Sequence, residues 1–161
     1  MIIREFTPID TKEAADIWNT VVEEGVAFPQ LETLGLEEAR CFFESQSYTG
    51  VAVDEVTGEV VGLYILHPNN VGRCGHICNT SYAVKKGRRG QHIGEQLVKH
   101  SLAMGARLGF RILQFNAVVA NNERALHLYE RIGFTRLGVI PQGFRMDDGH
   151  FEDIVPHYIA L

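Results

Sequence analysis

Apolar positions along the chain change period several times, and the changes alternate. Residues 2–6, Ile2-Ile3-Arg4-Glu5-Phe6, are short, apolar and β-prone and predict a strand. Asp10 with Glu13 three residues on has the form of a capping box. Ala14, Ile17, Trp18 and Val21 then fall at i, i+3, i+4, i+7, one face of a helix. Gly25, Pro29 and Gly35 mark residues 25–35 as a loop, and Leu36, Ala39, Arg40 and Phe43 predict a second helix over 36–46. Residues 49–54 and 59–66 are rich in Val, Ile and Tyr and flank the turn Glu55-Val56-Thr57-Gly58, the signature of a hairpin. His67-Pro68-Asn69-Asn70 breaks the pattern before a strand over 76–84. A long amphipathic helix follows over 92–108, with Ile93, Leu97, Ser101, Met104 and Leu108 on one stripe. Next come a strand over 111–119, a helix over 122–132 with Ala125, Leu128, Tyr129 and Ile132 on its apolar face, and a stop at Gly133. Two strands, 134–140 and 151–160, complete the chain.

The order is therefore β-α-α-β-β-β-α-β-α-β-β. Its strand–helix–strand middle implies a parallel crossover, while the hairpin before it implies antiparallel pairing. The predicted fold class is α/β (α+β): a mixed sheet of about seven strands covered on both faces by about four helices. No linker, low-complexity run or internal repeat interrupts it, so residues 1–161 are expected to form one domain.

Composition narrows the function. A net charge of −5 argues against a protein that works mainly by neutralising nucleic-acid phosphates. No apolar run approaches the ~20 residues that cross a bilayer, and the N-terminus lacks the pattern of a secretory signal. An odd count of 3 cysteines suits free thiols in a reducing cytoplasm. Cys74, His76 and Cys78 alternate like ligands but match zinc spacing poorly, and no metal is expected there.

One segment carries chemistry. Val84-Lys85-Lys86-Gly87-Arg88-Arg89-Gly90-Gln91-His92-Ile93-Gly94 joins a strand to the long helix. Unpaired amides at the helix start, with Lys85, Lys86, Arg88 and Arg89 beside them, make an anion site, and the glycines let a ligand approach the backbone. A solvated basic turn is the plainer alternative. The segment resembles motif A of the GNAT acetyltransferases, R/Q-x-x-G-x-G/A opening a helix, with Arg89 and Gly94 at matching positions. A second segment, Asn122-Glu123-Arg124-Ala125-Leu126-His127-Leu128-Tyr129-Glu130-Arg131-Ile132-Gly133-Phe134, resembles the same family's N-x-x-A-x-x-L-Y-x-x-x-G-F.

The resemblance implies a splayed GNAT sheet and acetyl-CoA as co-substrate. It implies that Arg89, Gly90, Gln91, His92, Ile93 and Gly94 hold the pyrophosphate, and that Tyr82, Ala83 and Val84 offer main-chain groups to the pantetheine arm. Asn122 and Ala125 would complete the cofactor site, although Asn122 suits a helix N-cap equally well. His92 departs from the motif's central glycine. The expectation is a right-handed backbone there, where the change costs little, since a left-handed one costs a side chain ~1–2 kcal/mol. Tyr129 would protonate the departing thiolate; without the motif it reads as a core residue of its helix.

The base is open. The family's strand glutamate is missing between Gly75 and Val84, leaving His76, a water relay or an amine that arrives neutral. Arg73–Asn79, Gln114–Val119 and the tail from Gly138 are similar to a GNAT branch that includes fungal acetyltransferases of azetidine-2-carboxylate and other proline analogues, and to phosphinothricin-type amino-acid acetyltransferases. That likeness implies that Asn79 binds a substrate carboxylate and Asn116 orients the reacting groups. The expected acceptor is thus a small-molecule amine, an amino acid or its analogue. A polyamine or protein N-terminus, or a CoA-binding sensor without turnover, are the alternatives. A homodimer is common in the superfamily, though no residue here specifies one.

Overall fold

The computed structural model describes residues 1–161. Strands β1 (Ile2–Glu5), β2 (Tyr48–Val53), β3 (Val60–Pro68), β4 (Ile77–Val84), β5 (Ile112–Phe115), β6 (Thr135–Arg136) and β9 (His157–Ala160) form a seven-stranded sheet in the order β1-β2-β3-β4-β5-β9-β6. β7 (Ile140–Arg145) and β8 (Phe151–Ile154) make a separate two-stranded ribbon. Helices are α1 (Thr11–Glu24), α2 (Leu36–Glu44), α3 (Ile93–Arg107) and α4 (Glu123–Ile132). This is the mixed α/β architecture the sequence predicts.

The sheet buries both faces. β3 reads Val60-Val61-Gly62-Leu63-Tyr64-Ile65-Leu66 without polar alternation because Leu63 and Ile65 enter one core while Val61, Tyr64 and Leu66 enter the other. The first core lies under α1 and α2, where Trp18, Phe28, Phe42 and Phe43 stack around one another. The second lies under α3 and α4 and holds Leu97, Leu113, Phe115 and Phe134. Gly62 lets α3 sit close to the sheet: a Cβ there would lie 3.0 Å from Ile93 Cγ2 and 3.1 Å from Leu97 Cδ1.

Three expectations change. The box at Asp10 and Glu13 does not form. Asp10 instead accepts from Thr7 N–H (2.8 Å) and bidentately from Arg4 (2.7 and 2.8 Å), while Glu13 reaches the sheet and accepts from Val60 N–H at 2.5 Å. The strand over 111–119 ends at Phe115, its last residue paired with β9; Val118 and Ala120 then bond residues 155 and 153. The strands expected over 134–140 and 151–160 become four. Gly138, at φ 145°, breaks the first, and Pro156, which has no N–H, breaks the second.

Asp10 gives the first testable outcome. Burial raises its carboxyl pKa, but the hydrogen bonds from Arg4 and Thr7 outweigh that and hold it below the usual range. A carboxylate depressed in the folded state stabilises the fold above its unfolded pKa, and that stability is lost as pH falls through the folded value. Asp10→Ala should cost roughly 1–3 kcal/mol at pH 7 and much less near pH 2, as urea unfolding at the two pH values will show.

Candidate active site

β4 and β5 pair in parallel only at Ile77–Ile112 and Cys78–Leu113, after which the two strands diverge. The gap leaves one side of β4 without a neighbour. Lys85 N–H bonds Val61 C=O at 2.9 Å, and antiparallel ladders alternate. Ala83 and Ser81 therefore address β3, while the backbone of Thr80, Tyr82 and Val84 faces the gap. Thr80 N–H is taken by the Asn79 side-chain carbonyl at 2.7 Å, which leaves Tyr82 and Val84 as the open positions. Ala83, expected beside them, turns its main-chain bonds to β3 and lines the larger cavity.

Two cavities meet at the gap. The larger, of about 710 Å³, runs between the end of α1, the starts of α3 and α4, and β4. Tyr82, Ala83, Val84, Arg89, Gly90, His92, Ile93, Gly94, Asn122 and Ala125 all line it. Gln91 is exposed on the same loop but is not part of that wall. The first main-chain bond of α3 runs from Gln96 N–H to His92 C=O at 3.2 Å, and no side chain caps the helix. The amides of Ile93, Gly94 and Glu95 are thus free donors at the positive end of the helix dipole.

The loop departs from expectation in two ways. His92 is left-handed, at φ 59° and ψ 14°, not right-handed helical. Gly87 and Gly90 are also at positive φ, so the turn keeps the geometry a glycine favours, and His92 carries the cost of a side chain in it. The imidazole is exposed, with Nδ1 3.6 Å from the Glu95 carboxylate. Second, the basic cluster is divided. Lys85 pairs with Glu59, and Arg88 with Asp54 (2.9 Å) and Glu59 (3.1 Å), so both serve the β2–β3 hairpin rather than the cavity. Arg89 remains at the mouth, donating to Glu24 Oε2 at 2.7 Å. Glu95 accepts from Lys99 (2.8 Å) and Arg131 (2.6 Å), which hold its carboxyl down to about 2 and tie the start of α3 to α4.

The smaller cavity, of about 230 Å³, shares Ala27, Tyr82, Asn122 and Ala125 with the first. Asn79, Thr80, Ser81, Phe115, Asn116 and Tyr129 line it further in, and no acidic, basic or histidine side chain does. Tyr129 packs on Phe115, with ring centroids 4.4 Å apart, and burial pushes its phenol pKa well up. Its hydroxyl has no partner within the protein and is not among the sealed polar atoms. Tyr82 differs. Its hydroxyl accepts from Thr80 (2.8 Å) and meets Ser101 at 2.7 Å, while Ser101 Oγ donates to Val98 C=O. Tyr129 therefore keeps the one unengaged phenol of the cavity.

Asn122 caps α4, accepting from Ala125 N–H at 3.3 Å, and stands where the cavities join. Asn79 and Asn116 face the cavity from the two diverging strands. Asn69, which the sequence reading treated only as part of a pattern break, bridges them. Nothing in its local pattern marks it, because the pairing spans 47 residues. His76 lies on the exposed rim outside both cavities. His157 is fully buried beside Tyr129, its Nδ1 on Val155 C=O at 2.7 Å, and burial lowers its pKa so that it stays neutral.

No helix is long and apolar enough to cross a membrane. The model of the acetyltransferase (GNAT) family matches residues 14–134. The chain is 33% identical over 156 residues to N-acetyltransferase aca1 of Schizosaccharomyces pombe, covering 88% of this chain and 74% of the relative. Among solved structures it resembles a GCN5-related N-acetyltransferase from Kribbella flavida, with a TM-score of 0.91, 28% identity, and 99% and 97% of the two chains covered. The fold is shared with a Sinorhizobium meliloti phosphinothricin acetyltransferase solved with acetyl-CoA, at a TM-score of 0.90, 20% identity, and 99% and 88% coverage. A splayed sheet opening onto an uncapped helix start, matched by sequence across most of its length, makes this chain a member of the GNAT family of acetyl-CoA-dependent N-acetyltransferases.

Proposed function

We propose that the protein transfers the acetyl group of acetyl-CoA directly to the amine of a small carboxylate-bearing acceptor, an amino acid or an analogue of one. The observation that carries this reading is the smaller cavity. It has no charged side chain, offers the amides of Asn79 and Asn116, and ends on the free hydroxyl of Tyr129. A polycation would need carboxylates in that wall, and the wall has none. Arg89 and the free amides of Ile93, Gly94 and Glu95 take the diphosphate; Tyr82 and Val84 offer main-chain groups to the pantetheine arm. Arrival of the anion exchanges the Arg89–Glu24 pair for an Arg89–phosphate pair.

The amine nitrogen attacks the thioester carbonyl, the C–S bond breaks, and Tyr129 donates a proton to the departing sulfur. The nitrogen releases its own proton to solvent, and Tyr129 is reprotonated from solvent, so protons balance. Burial raises the pKa of the phenol, and a thiol taken into the same dry cavity is shifted in the same direction. No base is required in the wall, since taking an ammonium out of water lowers its pKa and delivers the neutral amine. Orientation of the amine and thioester supplies much of the remaining rate.

Release of free thiol from acetyl-CoA with matched acceptors tests the reading. An amino acid should be used at least about tenfold better, in kcat/KM, than its own carboxamide, a difference of ~1.4 kcal/mol, and polyamines should be poor. The pH profile of kcat/KM should have one rising limb that moves with the acceptor's amine pKa and no enzyme-borne fall up to pH ~10. Faster turnover of polyamines, or a limb fixed near neutrality whatever the acceptor, overturns it.

A further inference from the structure

Three asparagines meet where β4 and β5 part. Asn69 follows β3 and is locked in place by its own N–H on Ile77 C=O at 2.8 Å. Its side-chain carbonyl accepts from Asn116 Nδ2 at 2.7 Å and from Asn79 Nδ2 at 3.3 Å. Its Nδ2 donates back to Asn116 Oδ1 at 3.1 Å, and Gln114 Nε2 fills the same oxygen, also at 3.1 Å.

Hydrogen-bond capacity decides what such a cluster can recognise. A side-chain amide has two N–H donors and one oxygen with two lone pairs. Both lone pairs of Asn69 and both of Asn116 are taken from within the cluster. Asn79 Oδ1 has one of its two filled by Thr80 N–H. Yet Asn79 and Asn116 each keep one N–H, and both residues line the smaller cavity. The cluster consumes acceptors and leaves donors. A carboxylate, which only accepts, fits what is left; a carboxamide brings two N–H groups to a cluster with one lone pair to spare.

We propose that Asn69 is the positioning residue that makes this site select a carboxylate. It touches neither cavity. By holding the carbonyls of Asn116 and itself in reciprocal bonds, it fixes which end of each cavity-lining amide faces the acceptor. Without Asn69, Asn116 loses two of its three bonds and only Gln114 Nε2 still holds its oxygen, so the amide presents that oxygen to the acceptor more often and the preference for an anionic acceptor falls. The inference rests on the reading given under Proposed function and adds the residue responsible for the selectivity.

The test compares Asn69→Ala and Asn69→Asp with the unaltered protein on an amino acid and on its carboxamide, by thiol release, with the acetyl-CoA thermal shift as the check of folding. Asn69→Asp keeps the size and the accepting oxygens but loses the donor to Asn116 and adds a negative charge near the acceptor. Asn69→Ala should raise KM for the amino acid about tenfold and leave KM for the carboxamide within about twofold. Asn69→Asp should do the same and more strongly, because its charge repels the carboxylate. If both folded variants retain the original ratio of the two acceptors, or lose both equally, the inference fails while the carboxylate reading stands. If the unaltered protein shows no preference for the amino acid, both fail. Should Asn69→Ala not fold, Asn69→Ser, neutral and likewise without the side-chain amide that pairs with Asn116, takes its place with the same expected and overturning ratios.

Discussion

Tyr129→Phe is expected to lower kcat by on the order of 10²-fold or more while the dissociation constant of acetyl-CoA stays within about twofold. The residue's place in the wall produces this split. Its ring is packed on Phe115, so phenylalanine keeps the packing and the shape of the cavity. Only the hydroxyl is lost, and that hydroxyl bonds nothing in the protein, so no buried partner is stranded and the fold should be undisturbed. What disappears is the donor that meets charge building on sulfur, an interaction made in the transition state and not in the bound ground state, so the loss falls on kcat. Single-turnover acetyl transfer, with binding followed separately by thermal shift, reads the two terms. Full activity in this variant overturns the proton-donor role. Tyr82→Phe is the control: that hydroxyl is already bonded to Thr80 and Ser101, so its removal should cost stability more than chemistry.

Gly94→Glu should weaken acetyl-CoA binding by about 10²-fold or more, equivalent to roughly 3 kcal/mol, and should leave the ligand-free protein as stable as before or more so. The opposed signs make this prediction specific. Gly94 is the second residue of α3, with open space around it: the nearest atom to an added Cβ is Val84 Cγ2 at 3.9 Å. Replacing glycine within a helix by glutamate gains up to ~1 kcal/mol in propensity, and an acid in the first turn interacts favourably with the helix dipole. The same carboxylate stands in the wall of the larger cavity, among the free amides proposed to take the diphosphate. The protein would then carry its own anion in the anion site. Thermal unfolding with and without acetyl-CoA reads both effects from one experiment. Retained binding would place the diphosphate elsewhere and remove the basis of the proposed function.

Period alone gave α1, α3 and α4 and the hairpin of β2 and β3, because each of these buries one stripe or two faces and its neighbours in sequence are its neighbours in space. The motifs marked residues that the fold gathers around the two cavities for a similar reason: Arg89 to Gly94 is one loop, and Asn122, Ala125 and Tyr129 belong to one capped helix. Local reading stopped at contacts between distant segments. Glu13 looked like a capping residue and instead satisfies Val60 across 47 positions. Lys85 and Arg88 looked like anion ligands and instead neutralise the hairpin acids. His92 was expected in the helical region, yet the turn before α3 holds it at φ 59°.

The sequence by itself determined the order of elements, the two buried faces of the sheet and the cofactor motifs, because each is written in the spacing of nearby side chains. The tertiary structure decided where β4 parts from β5, which main-chain groups the parting exposes, and that Asn69 joins Asn79 to Asn116. Those depend on hydrogen bonds whose donors and acceptors lie far apart along the chain, and no local periodicity records which of several available partners a polar group will find.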